Sequence, residues 1–173
     1  MCGRFEAKSY REYFARRKQL AGKTAPEGSA EVRPTDRALV IAAGSAPDAV
    51  VLLGPTGAGK TPLGELLERK GVVGRRCAHF DFGAWLRRAA GGEGAAFGLS
   101  EAQVARVKQV LAEGALLEDS EFPTALALLR AFEARLDRGA DTLLVLNGLP
   151  RHAGQARALE SIVNVRLVLV LDA

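Results

Sequence analysis

From residue 50 onward the chain alternates between two kinds of block. Val50–Leu53, Thr142–Leu146 and Val165–Leu171 are apolar runs of strand length, the pattern of strands buried on both faces of a parallel sheet. Arg76–Phe80 reads as a further short strand. Between these runs the apolar positions recur at helical spacing. Leu63–Lys70 predicts a helix ended by Gly71, Gly83–Ala90 a second, and Gln155–Ile162 another. Ser100-Glu101-Ala102-Gln103 is a capping box that opens a helix with Val104, Val107 and Leu111 on one face, closed by Gly114. Phe122–Asp137 carries Leu126, Leu129, Phe132 and Leu136 at helical intervals. Gly91–Gly98 holds four glycines and is expected to be a flexible loop. Strand and helix in alternation predict an α/β domain, three layers deep, with helices on both faces of a parallel sheet.

The segment Gly54-Pro55-Thr56-Gly57-Ala58-Gly59-Lys60-Thr61 lies between the first strand and the first helix. It fits the phosphate-loop pattern G-x-x-x-x-G-K-[ST] in its proper setting. The glycines let backbone N–H groups turn inward around phosphate oxygens, and the helix N-terminus adds positive partial charge. Gly54, Thr56, Gly57, Ala58, Gly59, Lys60 and Thr61 are therefore the candidate ATP contacts, with Lys60 at the terminal phosphates and the Thr61 hydroxyl in the Mg2+ shell. The expected fold is that of the P-loop nucleoside triphosphate hydrolases.

Ala21–Glu31 is rich in Gly, Ala, Pro and Ser, and Gly44–Asp48 is a second break. This divides the 173 residues into an N-terminal appendage with its linker, 1–44, and a nucleotide-binding domain, 45–173. The net charge is +4, and much of it is local: residues 1–23 carry seven basic side chains against Glu6 and Glu12. That charge is compatible with phosphate ligands. No long apolar run and no secretory leader is visible, so a cytoplasmic protein without membrane contact, monomeric, is expected. Cys2 and Cys77 have no metal-binding spacing, and His79 and His152 no partner pattern.

Asn147-Gly148-Leu149-Pro150-Arg151 follows the strand Thr142–Leu146, and Gln155 stands four residues beyond Arg151. With these residues, positions 50–173 resemble the adenylate kinase family of nucleoside monophosphate kinases. In that family the corresponding strand ends in D-G-F-P-R, with a glutamine four residues later. The family's loop G-x-P-G-x-G-K resembles Gly54–Lys60, its T-G-D-M-L-R resembles Phe82–Arg87, and its G-x-L-V-x-D resembles Gly114–Asp119. The resemblance implies transfer of the ATP γ-phosphate to a nucleoside monophosphate, AMP first, with an acceptor-binding insertion at about 82–138. It implies catalytic roles for Lys60, Arg87 and Arg151. It implies acceptor contacts from Phe82, Arg87, Leu117, Glu118, Gly148, Arg151 and Gln155, the last at the base, and Mg2+ contacts from Thr61 and Asn147. Arginine's planar fork suits a dianionic phosphate.

Departures qualify these expectations. Phe82 and Ala84 replace the family's threonine and aspartate, which leaves the base preference open. Asn147 replaces the strand-end aspartate that orients Mg2+. The family's lid arginines, a further strand and the terminal helix would lie beyond residue 173. A sheet truncated at its C-terminal side, with phosphate binding and weak or absent transfer, is accordingly expected of this chain.

Met1-Cys2-Gly3-Arg4-Phe5 and Glu31–Ile41 resemble the opening of the SRAP family, the SOS-response-associated proteins that cross-link abasic DNA. Loss of Met1 would expose Cys2 as an aminothiol that condenses with an aldehyde. Three functions thus compete: a nucleoside monophosphate kinase, a catalytically silent nucleotide-binding module, and a Cys2-dependent adduct former on DNA.

Overall fold

Apolar, β-branched sequence and a polar clamp at one end define the first strand, β1 (Asp48–Leu53), which is buried along nearly its whole length. The computed structural model describes residues 46–136 and 142–172; the SRAP-like segment, the appendage at 1–44 and Asp137 lie outside them. The described residues belong to a compact unit spanning Pro47–Ala173. After β1 come α1 (Lys60–Lys70), β2 (Arg76–Asp81), α2 (Phe82–Arg88), α3 (Glu101–Glu113), α4 (Phe122–Glu133), β3 (Thr142–Asn147), α5 (Ala153–Leu159) and β4 (Asn164–Val170). The sheet has four strands in the order β2-β3-β1-β4, and every pairing is parallel. The α/β class with a parallel sheet read from the alternating pattern is thus present.

One face of the sheet meets α1. Val50, Leu52, Cys77, Leu143 and Val145 form a buried cluster that packs against Leu63 and Leu67 of α1, with Val72 and Leu169 at its margin. Burial pushes the Cys77 thiol above its usual range, so this cysteine is an inert core residue. Alternation along the strands sends Phe80 to the opposite face. There its ring lies 5.3 Å from Phe132 of α4 and 6.0 Å from Trp85 of α2, while Trp85 lies 4.8 Å from Phe97. Helices therefore cover opposite faces of the sheet.

The helical group α2–α4 is tied by side chains that also terminate helices. Ser100 caps α3 in the capping box read from the sequence. Gln103 of that box also donates to the buried Thr124 hydroxyl of α4 at 3.1 Å. Arg106 pairs with Glu121 at 2.6 Å and joins α3 to the start of α4. Val110, more than Val104 or Leu111, is the second buried residue of α3 beside Val107.

Three expectations need correction. Residues 91–98 are not a loose loop: they wind through a π turn (Ala89–Glu93) and a 3-10 turn (Ala95–Phe97), because Phe97 is drawn into the Trp85 cluster. Arg88, forked onto Glu93 at 2.6 and 2.7 Å and 4.5 Å above the Trp85 ring, holds that turn closed. α4 stops at Glu133 rather than Asp137. Among the described residues β4 pairs with β1 alone and is not buried on both faces; Leu167 is 46% exposed.

At the opposite end of the sheet from the glycine-rich loop, Asp48 accepts from Arg75 and from Arg166, each at 2.8 Å. One carboxylate thus fastens the start of β1 to β4 and to the turn that precedes β2. The two arginines, Arg75 first, hold its carboxyl below the usual carboxylate range. A depressed native pKa contributes stability above the unfolded value, about 4, and loses it as pH falls through the native value. Asp48→Asn should therefore lower the Tm near neutral pH, and the wild-type and variant Tm values should converge as the pH is taken below about 4. Thermal melts across that range check the sign.

Candidate functional site

The C-terminal edge of a parallel sheet is where its loops can gather around a ligand. Here β1 leads into the glycine-rich loop 54–61, β2 ends at Asp81 and β3 at Asn147, with Asp81 and Asn147 paired across the two strands. Gly54, Gly57 and Gly59 of the loop have φ of 146°, 88° and 82°, conformations that side chains resist. A Cβ on Gly54 would also strike the Leu171 carbonyl oxygen. No side chain caps the N-terminus of α1, and its first turn carries no acidic residue. Its positive dipole end is thus left for an external anion. Lys60 folds back over the loop, its Nζ donating to the Gly54 carbonyl at 3.0 Å and to that of Pro55.

Thr61 meets the strand ends. Its hydroxyl donates to Asp81 Oδ2 at 2.9 Å and accepts from Asn147 Nδ2 at 3.0 Å, while the same amide donates to Asp81 Oδ2 at 3.2 Å. This closed triangle fixes the orientation of Asn147. An ionised carboxylate accepts only, so the group facing it is the amide NH2. The side of Asn147 that faces Thr61 and Asp81 is therefore its amide NH2. Thr61 Oγ1 and the Asp81 carboxylate supply oxygens suited to Mg2+, a hard cation that takes one or two carboxylates plus phosphate oxygens. Asp81 was not among the residues singled out from the sequence. Its only local signal is its position at the end of a short strand, ahead of a helix that it caps through Ala84 N at 2.9 Å.

His79 lies beneath the triangle, its Nε2 3.4 Å from Asn147 Nδ2. Burial lowers its pKa, against the opposing pull of Asp81 and Glu68. Its ring fills the space where Gly64 of α1 lacks a side chain, and a Cβ there would collide with the imidazole. Glu68, one turn further along α1, accepts from the His79 backbone N–H at 3.0 Å and so satisfies an edge-strand donor.

The predicted acceptor residues divide into two groups. Arg151 and Arg87 carry guanidinium groups with no carboxylate partner among the described residues. Arg151 donates from Nε to the Gly148 carbonyl at 2.8 Å and its fork is otherwise unpaired. Burial lowers its pKa, with Asp81 pulling the other way, and arginine stays cationic regardless. A methyl on Gly148 would sit 3.3 Å from Arg151 Nη2 and 3.6 Å from Phe82 Cβ, and one on Gly83 would sit 3.4 Å from Arg87 Nη1. Arg151 therefore lies against the start of α2, and Arg87 folds back along α2 toward Gly83, beside Asp81.

The second group is engaged inside the fold. Phe82 is fully buried, 6.2 Å from the Phe80 ring, and presents no face to a ligand. Gln155 is 1% exposed; it accepts from Arg151 N and donates to the Leu117 carbonyl, both at 2.9 Å. Leu117 is buried, and Glu118 spends its backbone N–H and C=O on Glu121. Of the residues expected to line the acceptor, Phe82, Leu117 and Gln155 are thus buried, while Glu118 is exposed.

Gly64→Ala should destabilise the chain by about 1–3 kcal/mol, the cost of overpacking a tight core contact. Chemical denaturation of the variant against the wild-type chain measures the loss. No model of a known protein family matches the chain, and no curated protein matches it.

Proposed function

We propose that this chain is an ATP-dependent phosphotransferase of the nucleoside monophosphate kinase type, with a fold of the P-loop class. The observation that carries the reading is the convergence at one sheet edge of a glycine-rich loop bearing Lys60, the Thr61–Asp81–Asn147 triangle, and two arginines without carboxylate partners. The order of motifs from Gly54 to Gln155, which resembles the adenylate kinase family, supports it as well. On this reading the backbone of 54–59 and the uncapped end of α1 hold the ATP phosphates. Lys60 leaves its loop carbonyls to neutralise the transferring group. Arg87 and Arg151 hold the acceptor phosphate, so two anions that repel each other in water are kept at close range. Such catalysis is positioning and electrostatics, with little covalent work for the protein. Mg2+, when bound, would offset charge on the β- and γ-phosphate oxygens. Thr61 and Asp81 would hold it, and Asn147 would keep both oxygens in place. AMP is the first acceptor to try.

The test is transfer from γ-labelled ATP to monophosphates. Lys60→Ala should reduce the rate by about 10^2-fold or more. Asp81→Asn should raise the Mg2+ concentration for half-maximal rate by about 10–100-fold. A diphosphate product that persists undiminished in Lys60→Ala would refute the reading, and ATP binding without any product would reduce it to a nucleotide-binding module.

A further inference from the structure

The acceptor side of the site is built to hold a phosphate, and what would read a base has been taken into the core. Gln155 makes one bond from each end of its amide, both to backbone, and is sealed from solvent. The carbonyl of Leu117, the natural partner for an exocyclic amine, is that amide's acceptor. Asp119 closes the remaining approach. Its Oδ1 accepts from Gln155 N at 3.2 Å, and its Oδ2 lies so near Gly154 that no side chain fits there. A carboxylate therefore already occupies the N-terminal end of α5, where acceptor polar groups would otherwise be received. Glu118 and Glu121 bond to each other's backbone across the same turn. Of the aromatic rings on this side of the sheet, Phe80, Phe82, Trp85, Phe97 and Phe132 are buried. By contrast the Arg151 and Arg87 forks stay unpaired beside the Asp81–Thr61 end of the sheet.

We propose that the acceptor is selected as a phosphate monoester without reading of its base, so that the substrate class is the sugar phosphate moiety common to all nucleoside monophosphates. The inference rests on the phosphotransferase reading above. Its physical core is that a hydrogen-bonding group can discriminate only if the ligand reaches it. Gln155 and Leu117 are buried and bonded to each other before any ligand arrives, so a base would have to open that packed contact to reach them. Gln155 is then a brace between the α3–α4 turn and the β3–α5 loop, and it positions Arg151 by accepting from that residue's own N–H.

The experiment is equilibrium binding of AMP, GMP, CMP, UMP and ribose 5-phosphate to the full chain, repeated with Arg151→Ala and Gln155→Leu. All five ligands should bind within about threefold of one another, less than one base-specific hydrogen bond would produce. Arg151→Ala should weaken all five by the same factor, about tenfold or more. Gln155→Leu should lower the Tm and weaken all five alike. If one nucleotide binds about tenfold or more tightly than ribose 5-phosphate, the inference is overturned while the kinase reading stands. Loss of that preference in Gln155→Leu would then identify the base-reading residue. If none of the five binds to the wild-type chain while ATP does, the acceptor reading fails and this inference with it.

Discussion

The contact between Gly64 and the His79 ring sets the depth at which α1 lies on the sheet. A helix carrying Cβ atoms at every facing position would stand further off, and the missing side chain at Gly64 lets it settle onto the imidazole. Everything chemical at the strand ends follows from that depth. Thr61 lies one turn before Gly64 on the same face and so reaches Asp81 and Asn147. Leu67 lies one turn after it and enters the core with Cys77 and Leu143. The three levels run from apolar to polar along β2, as Cys77, His79 and Asp81, and along β3, as Leu143, Val145 and Asn147. His79 is the transition between them: too buried to favour its charged form, yet able to accept from Asn147. The packing of one helix thereby becomes the geometry of a polar triangle.

At the β3–α5 loop the same economy works differently. The β3–α5 loop is held by backbone and amide bonds, Arg151 N to Gln155 and Gln155 to Leu117, rather than by apolar packing alone. Buried polar groups left unpaired cost about 1–3 kcal/mol each, so these bonds lock the turn after α3 to the start of α5. What this locking secures is the position of Arg151, whose Nε bond to the Gly148 carbonyl leaves the rest of the fork available.

Local pattern made much of this legible. Residues 50–53 and 142–146 are strands because unbroken apolar runs of that length have few other solutions in a parallel sheet. Ser100 and Gln103 announced their helix because a capping box is a four-residue device. The glycines of 54–59 stood out because positive φ leaves its mark residue by residue. What failed was whatever depends on distant chain. Asp81 gains its role from pairing with Asn147 and from Thr61, twenty residues back in sequence, and nothing adjacent to it marks this. Phe97 orders residues 91–98 through a ring contact with Trp85 that glycine content conceals. β4 carries the composition of a central strand but, among the described residues, pairs with β1 alone, since strand order is not written in hydropathy. Gln155 is marked in sequence only by its distance from Arg151, while its burial and its bond to the Leu117 carbonyl come from a turn thirty-eight residues away.

Asn147 is best considered together with the carboxylate beside it. Asn147 Nδ2 stands 3.2 Å from Asp81 Oδ2. A second carboxylate at that separation would repel the first, and one of the two would take up a proton or swing away. The amide removes the conflict and reverses the interaction, donating where aspartate would have repelled. The carboxylate of the triangle stands at the end of β2, opposite Asn147 at the end of β3. There it can face a cation at Thr61 and still cap α2 through Ala84 N. Asn147 and Asp81 are therefore a matched pair: the asparagine donates to the aspartate beside it and to Thr61, and so holds the carboxylate and the hydroxyl together.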